Sequence, residues 1–339
     1  MKASLLKYIC CPNCGGDLTI KEISLSNEDK VIEGFLQCLN CSLSYPICKG
    51  MPYLIVKDKT WQLTVKEAQG WVSLWRKKGM YDNPTLEDSF RLPYVGGIWT
   101  DVARMFDLAL QEMDLKGGEC ILDLGAGQGW ASRYFAEKGC TVMAVDIVDC
   151  EWYGLGRSWA IMDYAGVYFE PIIADGEKLP FPPETFDFVF LCGTLHHFRK
   201  FEKVLKEIKK VLKPGGRIIA AGEPSISIFS KEKDIQAMLE ETKEGITERR
   251  PKVFQYWWAF KKAGFKDIQI DTFETYKASP EQIYTWIIAV RQNFFRLVRP
   301  WYKPMVWVFL SSVLFLPPRL AAMLILWING GNLFIRARI

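Results

Sequence analysis

The stretch Ile121–Trp130, with the sequence ILDLGAGQGW, constrains the fold of this 339-residue chain more than any other. A run of apolar residues reaches Leu124 and then enters a turn with glycine at every second position, which leads into a helical pattern. The glycines of this turn are Gly125, Gly127 and Gly129. Because glycine has no Cβ, the main chain can turn tightly there and approach a ligand closely. The sequence therefore predicts a strand, a ligand-binding turn and a helix in that order.

The spacing of the glycines leaves two classes of cofactor open. A dinucleotide fold uses Gly-x-Gly-x-x-Gly, whereas here the third glycine comes one residue early and Trp130 occupies its usual position. Asp146 ends the next predicted strand, about where either class places the carboxylate that binds the ribose. The turn alone therefore fits a dinucleotide or another nucleotide-like cofactor.

Predicted strands and helices alternate from Cys120 onward. The strands are CILDLGA, TVMAVDI, YFEPIIAD, FDFVFLCG, RIIAAGEP and, after the helix FQYWWAFKKAGF, KDIQIDTF. Helices such as WASRYFAEKG and RKFEKVLKEIKKVL lie between them. This alternation is typical of a parallel sheet that is covered by helices on both faces. The predicted fold class is therefore α/β.

Three later motifs distinguish between the cofactors. They are ADGEKLPFPPETFDFVF, LCGTLHHF and LKPGGRIIAAGEP. Together with the glycine turn they resemble the class I S-adenosylmethionine-dependent methyltransferases, in particular the type 11 group that includes ubiquinone and menaquinone methyltransferases. The resemblance covers about Lys116 to Ile270 and a final strand, GGNLFIRARI. It implies a seven-stranded Rossmann-like sheet, mostly parallel with its last strand antiparallel, and S-adenosylmethionine as the cofactor.

The resemblance also implies roles for individual residues in the cofactor site. Asp123, Gly125 and Gly127, with Gly129 in the same motif, would form the floor under the methionine part, and Asp146 would accept hydrogen bonds from both ribose hydroxyls. Asp175 would meet the adenine amino group with Gly176 beside it, and Cys192 would line the pocket near the sulfonium. The alternatives are an ordinary strand-to-helix turn for the glycines and a helix N-cap for Asp146. Asp175 could be a turn acceptor, and Cys192 a thiol of the core.

His196 and His197, the only histidines of the chain, follow the fourth predicted strand. They are therefore expected at the carboxyl edge of the sheet, where ligands bind in such folds. One of them could act as a general base for methyl transfer, since imidazole titrates near neutral pH. The alternative is that both histidines only pack or cap the start of a helix.

The cysteines near the start of the chain form the pattern C-x2-C-x23-C-x2-C, made by Cys11, Cys14, Cys38 and Cys41. Four thiolates without an open position describe a structural Zn²⁺ site. The alternative is a ribbon that folds without metal. The unit resembles a zinc-ribbon domain known as a separate activator of RNA and protein methyltransferases and as an N-terminal fusion to them. Since thiols stay reduced in the cytoplasm, we expect a cytoplasmic protein without disulfides or a signal peptide.

Composition shifts divide the chain into three predicted parts. These are a zinc ribbon at 1–56, a helical linker or cap at 57–118, and a methyltransferase domain at 119–339 with an apolar helical insertion at about 274–329. The apolar stretch MVWVFLSSVLFLPPRLAAMLILWI is interrupted by Pro-Pro-Arg, and neither half is long enough to span a bilayer. Residues 281–328 could instead contact the inner face of the membrane, cover a lipid-like acceptor, or form a packed subdomain or homodimer interface.

These observations predict a methyltransferase that acts on a small-molecule, lipid-linked or glycan-type acceptor. An RNA methyltransferase acting on rRNA or tRNA is the first alternative, because of the zinc ribbon, but a net charge of only +4 argues against nucleic acid. A non-catalytic scaffold that binds S-adenosylmethionine is the second alternative, and a dehydrogenase is a remote third. The sequence names neither the acceptor nor the methylated atom.

Overall fold

The computed structural model describes residues 1–27, 29–79, 85–297 and 316–339. The strands are β1 (Leu18–Asn27), β2 (Lys30–Cys38), β3 (Ser44–Cys48), β4 (Met51–Leu54), β5 (Cys120–Leu124), β6 (Thr141–Asp146), β7 (Glu170–Ala174), β8 (Phe186–Cys192), β9 (Leu212–Ile226), β10 (Lys266–Asp271) and β11 (Gly330–Arg338). The helices are α1 (Trp61–Lys77), α2 (Leu86–Arg91), α3 (Thr100–Met113), α4 (Trp130–Glu137), α5 (Ser158–Ala165), α6 (Phe201–Val211), α7 (Glu232–Gln236), α8 (Glu240–Lys243), α9 (Val253–Ala263), α10 (Pro280–Leu297) and α11 (Pro318–Asn329). Short 3-10 turns occur at Ala3–Lys7, Gly97–Trp99, Leu155–Arg157 and Leu195–His197.

Seven of the strands form the sheet that the sequence predicts. Their spatial order is β7-β6-β5-β8-β9-β11-β10, with neighbouring strands parallel from β7 to β9. The last strand, β11, inserts between β9 and β10 and is antiparallel to both. The predicted α/β class, with a Rossmann-like sheet and an antiparallel last strand, is confirmed.

The sheet has eleven strands rather than seven because the N-terminal unit joins its edge. Strands β1 to β4 are antiparallel neighbours of one another. Strand β4 then pairs in parallel with β7, and Tyr53 lies opposite Ile173 and Leu54 opposite Ala174. The sequence predicted a separate small ribbon and did not predict this join, which makes one continuous sheet.

Helices cover both faces of the sheet. Side chains alternate along β5, so that Ile121 belongs to one core cluster and Leu122 to the other. Helices α3, α4 and α5 cover the face on which Ile121 lies, whereas α6 and α9 pack on the face on which Leu122 lies. The buried residues of α6 recur at helical spacing, and they are Phe201, Val204, Leu205, Ile208 and Val211.

The described parts of the predicted insertion form a pair of helices before the last strand. Ile283 and Ile287 of α10 pack against Ala321 and Ile325 of α11 in a small core of their own. Residues 298–315 of the insertion, with much of its apolar stretch, lie outside the described residues. Within the described ranges, no helix is both long enough and apolar enough to cross a membrane.

Candidate cofactor site and metal centre

The glycine turn lies between the end of β5 and the start of α4, as the sequence predicted. The amides of Gly125 and Ala126 donate to the carbonyl of Val145 at 2.8 and 3.0 Å, which holds the turn against β6. Gly125 has a φ of +76°, and a Cβ there would lie 2.3 Å from the side chain of Thr194. Gly127 has a φ of +55° and open space where a Cβ would stand. Glycine is therefore required at Gly125, where a Cβ would clash, and is favoured at Gly127 by the positive φ, and the turn leaves room for a ligand at Gly127.

Asp146 at the end of β6 is fixed by the same turn. Its Oδ2 accepts a hydrogen bond from the amide of Gly127 at 2.8 Å, and its Oδ1 accepts one from Val148 at 2.9 Å. Burial raises the pKa of this carboxyl, although the amides of Val148 and Gly127 oppose that effect. Each carboxylate oxygen can accept more than one hydrogen bond. The side chain can therefore still accept a bond from each of two hydroxyls.

Two residues of the glycine motif lie beneath the turn instead of lining a cavity. Asp123 is 2% exposed and accepts a hydrogen bond from the hydroxyl of Ser132 on α4 at 2.7 Å. Burial raises the pKa of Asp123 to about 7. A Cβ on Gly129 would lie 2.7 Å from the ring of Phe169, so this glycine allows α4 to pack closely. The two residues hold the turn in place from below.

A cavity of about 390 Å³ opens beside the turn. Of the residues predicted for the site, it is lined by Gly125, Gly127, Asp146, Asp175, Gly176, Cys192 and His197. The strands β5, β6, β7 and β8 all end at this cavity, which is the edge where ligands bind in open α/β sheets. Asp123, Gly129 and His196 are not among the lining residues.

Asp175 and Gly176 follow β7 and form one end of the cavity. The Oδ1 of Asp175 accepts a hydrogen bond from the amide of Glu177 at 2.8 Å, and its Oδ2 accepts one from the hydroxyl of Thr64 at 3.0 Å. Gly176 lies against the ring of Phe198, only 2.6 Å from where its Cβ would stand. Burial raises the pKa of the Cys192 thiol at the end of β8, so that this thiol is neutral.

The two histidines differ sharply in their surroundings. The Nδ1 of His196 lies 2.8 Å from Glu223, and its Nε2 lies 3.5 Å from Glu248. Burial opposes a charge on His196, but these carboxylates outweigh it and raise the pKa to about 9. Burial and the neighbouring charge of His196 lower the pKa of His197 to about 4. His197 is therefore neutral at pH 7, and its Nδ1 donates to the carbonyl of Thr247 at 2.8 Å.

Sequence reasoning missed the wall that faces the glycine turn. Four residues of α1 line the cavity, and they are Thr64, Glu67, Trp71 and Trp75. Their spacing of three or four residues places them on one side of the helix. The spacing was visible in the sequence, but nothing in it indicated which element this side would face. Trp99, Ile98 and Val102, before and within α3, extend the apolar part of the wall.

The four cysteines of the two C-x2-C pairs converge as predicted. Their sulfur atoms all lie within 4.8 Å of one another, and Cys11 and Cys41 are 3.7 Å apart. The sulfurs of Cys14 and Cys38 are 3.5 Å apart, and the amide of Cys41 points at the Cys38 sulfur from 3.4 Å. Tetrahedral Zn²⁺ with bonds of about 2.3 Å separates its sulfur ligands by about 3.8 Å. The donor set and its spacing therefore fit a four-coordinate zinc ion.

The sheet order and the position of the cavity define a class I methyltransferase fold. A family model described as a methyltransferase domain matches residues 122–220. This chain therefore contains a methyltransferase domain of the class that uses S-adenosylmethionine, as its sequence motifs predict. The match covers the glycine turn, β5 to β8 and most of β9.

Curated relatives match part of this chain. A demethylmenaquinone methyltransferase of Corynebacterium glutamicum is 34% identical over 121 residues, which are 35% of this chain and 49% of that protein. A ubiquinone/menaquinone biosynthesis C-methyltransferase of Burkholderia mallei is 28% identical over 40% of this chain and 62% of its own length. The chain thus spans about half to three fifths of the curated relatives it matches.

A solved structure shares the fold. It is phosphoethanolamine N-methyltransferase 2 of Haemonchus contortus, in complex with phosphomonomethylethanolamine and S-adenosylhomocysteine. The TM-score is 0.50 at 17% sequence identity, and the alignment covers 93% of this chain and 70% of the other. At this identity the likeness concerns the fold alone.

Proposed function

We propose that this protein transfers a methyl group from S-adenosylmethionine to a small-molecule acceptor. The observation that carries the proposal is that the glycine turn and Asp146 face a wall of tryptophans across one cavity. One side of that cavity has the polar groups that a nucleoside needs. The other side offers the flat apolar surfaces that bind an apolar or aromatic molecule.

The cofactor would lie along the ends of the central strands. Gly125 and Gly127 would form the floor of its methionine part, with Asp123 beneath them, and Asp146 would bind the ribose hydroxyls. Asp175 and Gly176 would contact the adenine, and Cys192 would lie near the sulfonium. When bound there, S-adenosylmethionine supplies a methyl group on a cationic sulfur. The protein then has to exclude water and orient the acceptor, which accounts for much of the rate of such reactions.

The acceptor would bind between the cofactor and α1. Trp71 and Trp75 stack at 5.9 Å with 19° between their ring planes, and Trp99 also lines the cavity. Two relatives are named for methylation of quinone precursors. A planar ring with an apolar tail, such as a reduced demethylmenaquinone, is therefore the first acceptor to test. His197, the cavity histidine, would orient the acceptor through its Nε2, whereas His196 would hold the turn through Glu223.

The remaining parts of the chain would support this reaction. The ribbon at 1–56 would hold one structural Zn²⁺ through Cys11, Cys14, Cys38 and Cys41, and 57–118 would cap the cavity of the domain at 119–339. The insertion at about 274–329 would bring a lipid-like acceptor to the cavity, with a peripheral contact to the inner face of the membrane through 281–328. Such a protein would work in the cytoplasm, as a monomer or a homodimer.

The test is incubation of the full-length protein with methyl-labelled S-adenosylmethionine and separate lipid, small-molecule and RNA extracts. Label in the lipid or small-molecule fraction is expected, with reduced demethylmenaquinone as a defined member of the panel. Label in RNA alone would contradict the proposed acceptor class. Binding of S-adenosylmethionine without transfer to any fraction would favour a non-catalytic scaffold, and calorimetry that detects no binding would overturn the proposal.

A further inference from the structure

Glu67 is an ionisable side chain on the wall of the cavity to which the sequence motifs assign no role. Its side chain is only 9% exposed, yet it lines the cavity. Trp71 follows it by one helical turn and Thr64 precedes it by three residues, so the three lie on the same side of α1. Removing a carboxylate from water costs free energy, and such a group beside a ligand cavity is a candidate functional residue.

The partners of Glu67 neutralise it only in part. The amide and the hydroxyl of Thr247 lie 3.4 and 3.3 Å from its two oxygens, and Arg199 lies 3.3 Å away. Arg199 is shared, because Asp175 and Glu177 each lie 3.7 Å from it. Within the described part of the chain, this guanidinium therefore serves three carboxylates. Burial raises the pKa of Glu67 to about 7, although Arg199 opposes the shift.

Glu67 also adjoins the histidine of the cavity. Thr247, which donates to Glu67, accepts a hydrogen bond from His197 through its carbonyl at 2.8 Å. The ring of Trp71 meets the ring of His197 edge-on at a centroid distance of 4.8 Å. Beyond His197 lies Glu248, 3.2 Å from its Nδ1. Glu67, Trp71 and His197 thus form one continuous patch of the cavity wall.

We propose that Glu67 receives the proton that the acceptor loses when it is methylated. The inference rests on the proposed function and names a residue for it. On a hydroquinone acceptor, the proton of an O–H group moves to a carboxylate oxygen of Glu67, and the electron pair released into the ring forms the bond between a ring carbon and the methyl carbon. The bond between sulfur and the methyl carbon breaks, and its electron pair stays on sulfur. The methylated ring carbon then gives its hydrogen as a proton to solvent while the ring oxygen takes one up, which restores the aromatic ring, and solvent also removes the proton from Glu67.

Three other ionisable groups at or beside the cavity are less suited to this step. His197 is a weak base because its pKa lies near 4. His196 is paired with Glu223 and does not line the cavity. Asp146 is held by the amides of the cofactor turn and is assigned to the ribose hydroxyls, away from the acceptor. A proton acceptor works best when its pKa lies near the working pH, and Glu67 meets that condition.

The kinetic test compares Glu67→Gln with the wild type in the full-length protein, with the methyl-accepting extract fraction as the probe. We expect kcat to fall about 100-fold while KM and the calorimetric affinity for S-adenosylmethionine change less than threefold. Glu244→Gln is the matched control, because Glu244 holds α1 through Ser73 and Lys77 but does not line the cavity. This control should retain kcat within about twofold.

A second measurement needs neither cofactor nor acceptor. His196 and His197 are the only histidines, so their imidazole signals in an NMR spectrum can be followed individually. The signals of His197 should shift with a midpoint near pH 7 in the wild type, because Glu67 titrates beside Thr247. This step should be absent in Glu67→Gln and present in Glu244→Gln.

The outcomes separate this inference from the proposed function. A Glu67→Gln variant that keeps its kcat, or whose His197 signals still shift near pH 7, overturns the role of Glu67 alone. Loss of cofactor affinity in that variant would also overturn it, because Glu67 would then be a cofactor-binding residue. A wild-type protein that binds no S-adenosylmethionine, or methylates no fraction, would overturn both proposals.

Discussion

Asp146 is the residue whose replacement should most directly test the position of the cofactor. Its two oxygens are held by the amides of Gly127 and Val148 and face the cavity. A hydrogen bond to a charged group contributes about 1.5–3 kcal/mol, so Asp146→Ala should weaken S-adenosylmethionine binding at least tenfold by calorimetry. Asp163→Asn, at an exposed position of α5, is the control and should bind normally. Unchanged affinity in Asp146→Ala would mean that the ribose binds elsewhere.

Glu67 gives a second prediction, about stability and pH. The pKa of this carboxyl is about 7 in the folded protein, above its ordinary value of 4.5. The folded state therefore holds a proton that the unfolded state loses between about pH 4.5 and 7, and stability falls as the pH rises through that range. Glu67→Gln should thus gain stability over the wild type between pH 5 and 8, on the order of 2–3 kcal/mol.

Urea unfolding of both proteins at pH 5 and pH 8 measures this difference. Glu202→Gln, at an exposed position of α6, serves as the control and should follow the wild type at both pH values. If the midpoints of Glu67→Gln and the wild type differ equally at the two pH values, then Glu67 does not titrate in this range.

At the scale of elements, the ribbon depends on its four cysteines. About fifty residues bury too little apolar surface for a stable core, so a bound metal should supply much of their folding energy. The purified protein should contain one zinc per chain by elemental analysis. Cys14→Ser should lose that zinc and lower the Tm of the ribbon's transition by at least about 5 °C. Cys150→Ser changes a thiol outside the cluster, so this control should keep its zinc and its Tm. An equal zinc content in the two variants would contradict the proposed metal site.

The elements also show what local sequence could and could not predict. The glycine turn, Asp146 and the cysteine pairs were predictable because a few consecutive residues determine each of them. The wall of α1 was not, because Glu67 meets Thr247 across 180 positions of the chain. The different states of His196 and His197 depend on Glu223 and Glu248, which other elements supply. Only packing between distant segments decides which of two adjacent histidines faces the cavity.

For the whole molecule, the continuous sheet links the ribbon to the cofactor cavity. Strand β4 is the edge partner of β7, through Tyr53 and Leu54. Asp175, the next residue after β7, lines the cavity at its predicted adenine end. Two further contacts tie the ribbon side to the segment after β7: the amide of Cys10 donates to the carbonyl of Pro180, and Asp58 pairs with Lys178. Unfolding of the ribbon would therefore remove the support of this end of the cavity.

Removal of zinc should consequently weaken cofactor binding, although the metal is no part of the cavity. Couplings between sites are typically 1–3 kcal/mol, so the Kd for S-adenosylmethionine should rise about five- to tenfold when a chelator strips the zinc. Calorimetry with metal-loaded and stripped protein measures this, with circular dichroism to show that the ribbon has unfolded. By reciprocity, saturating S-adenosylmethionine should tighten zinc binding by the same factor. An unchanged Kd with an unfolded ribbon would show that β7 holds Asp175 in place without β4.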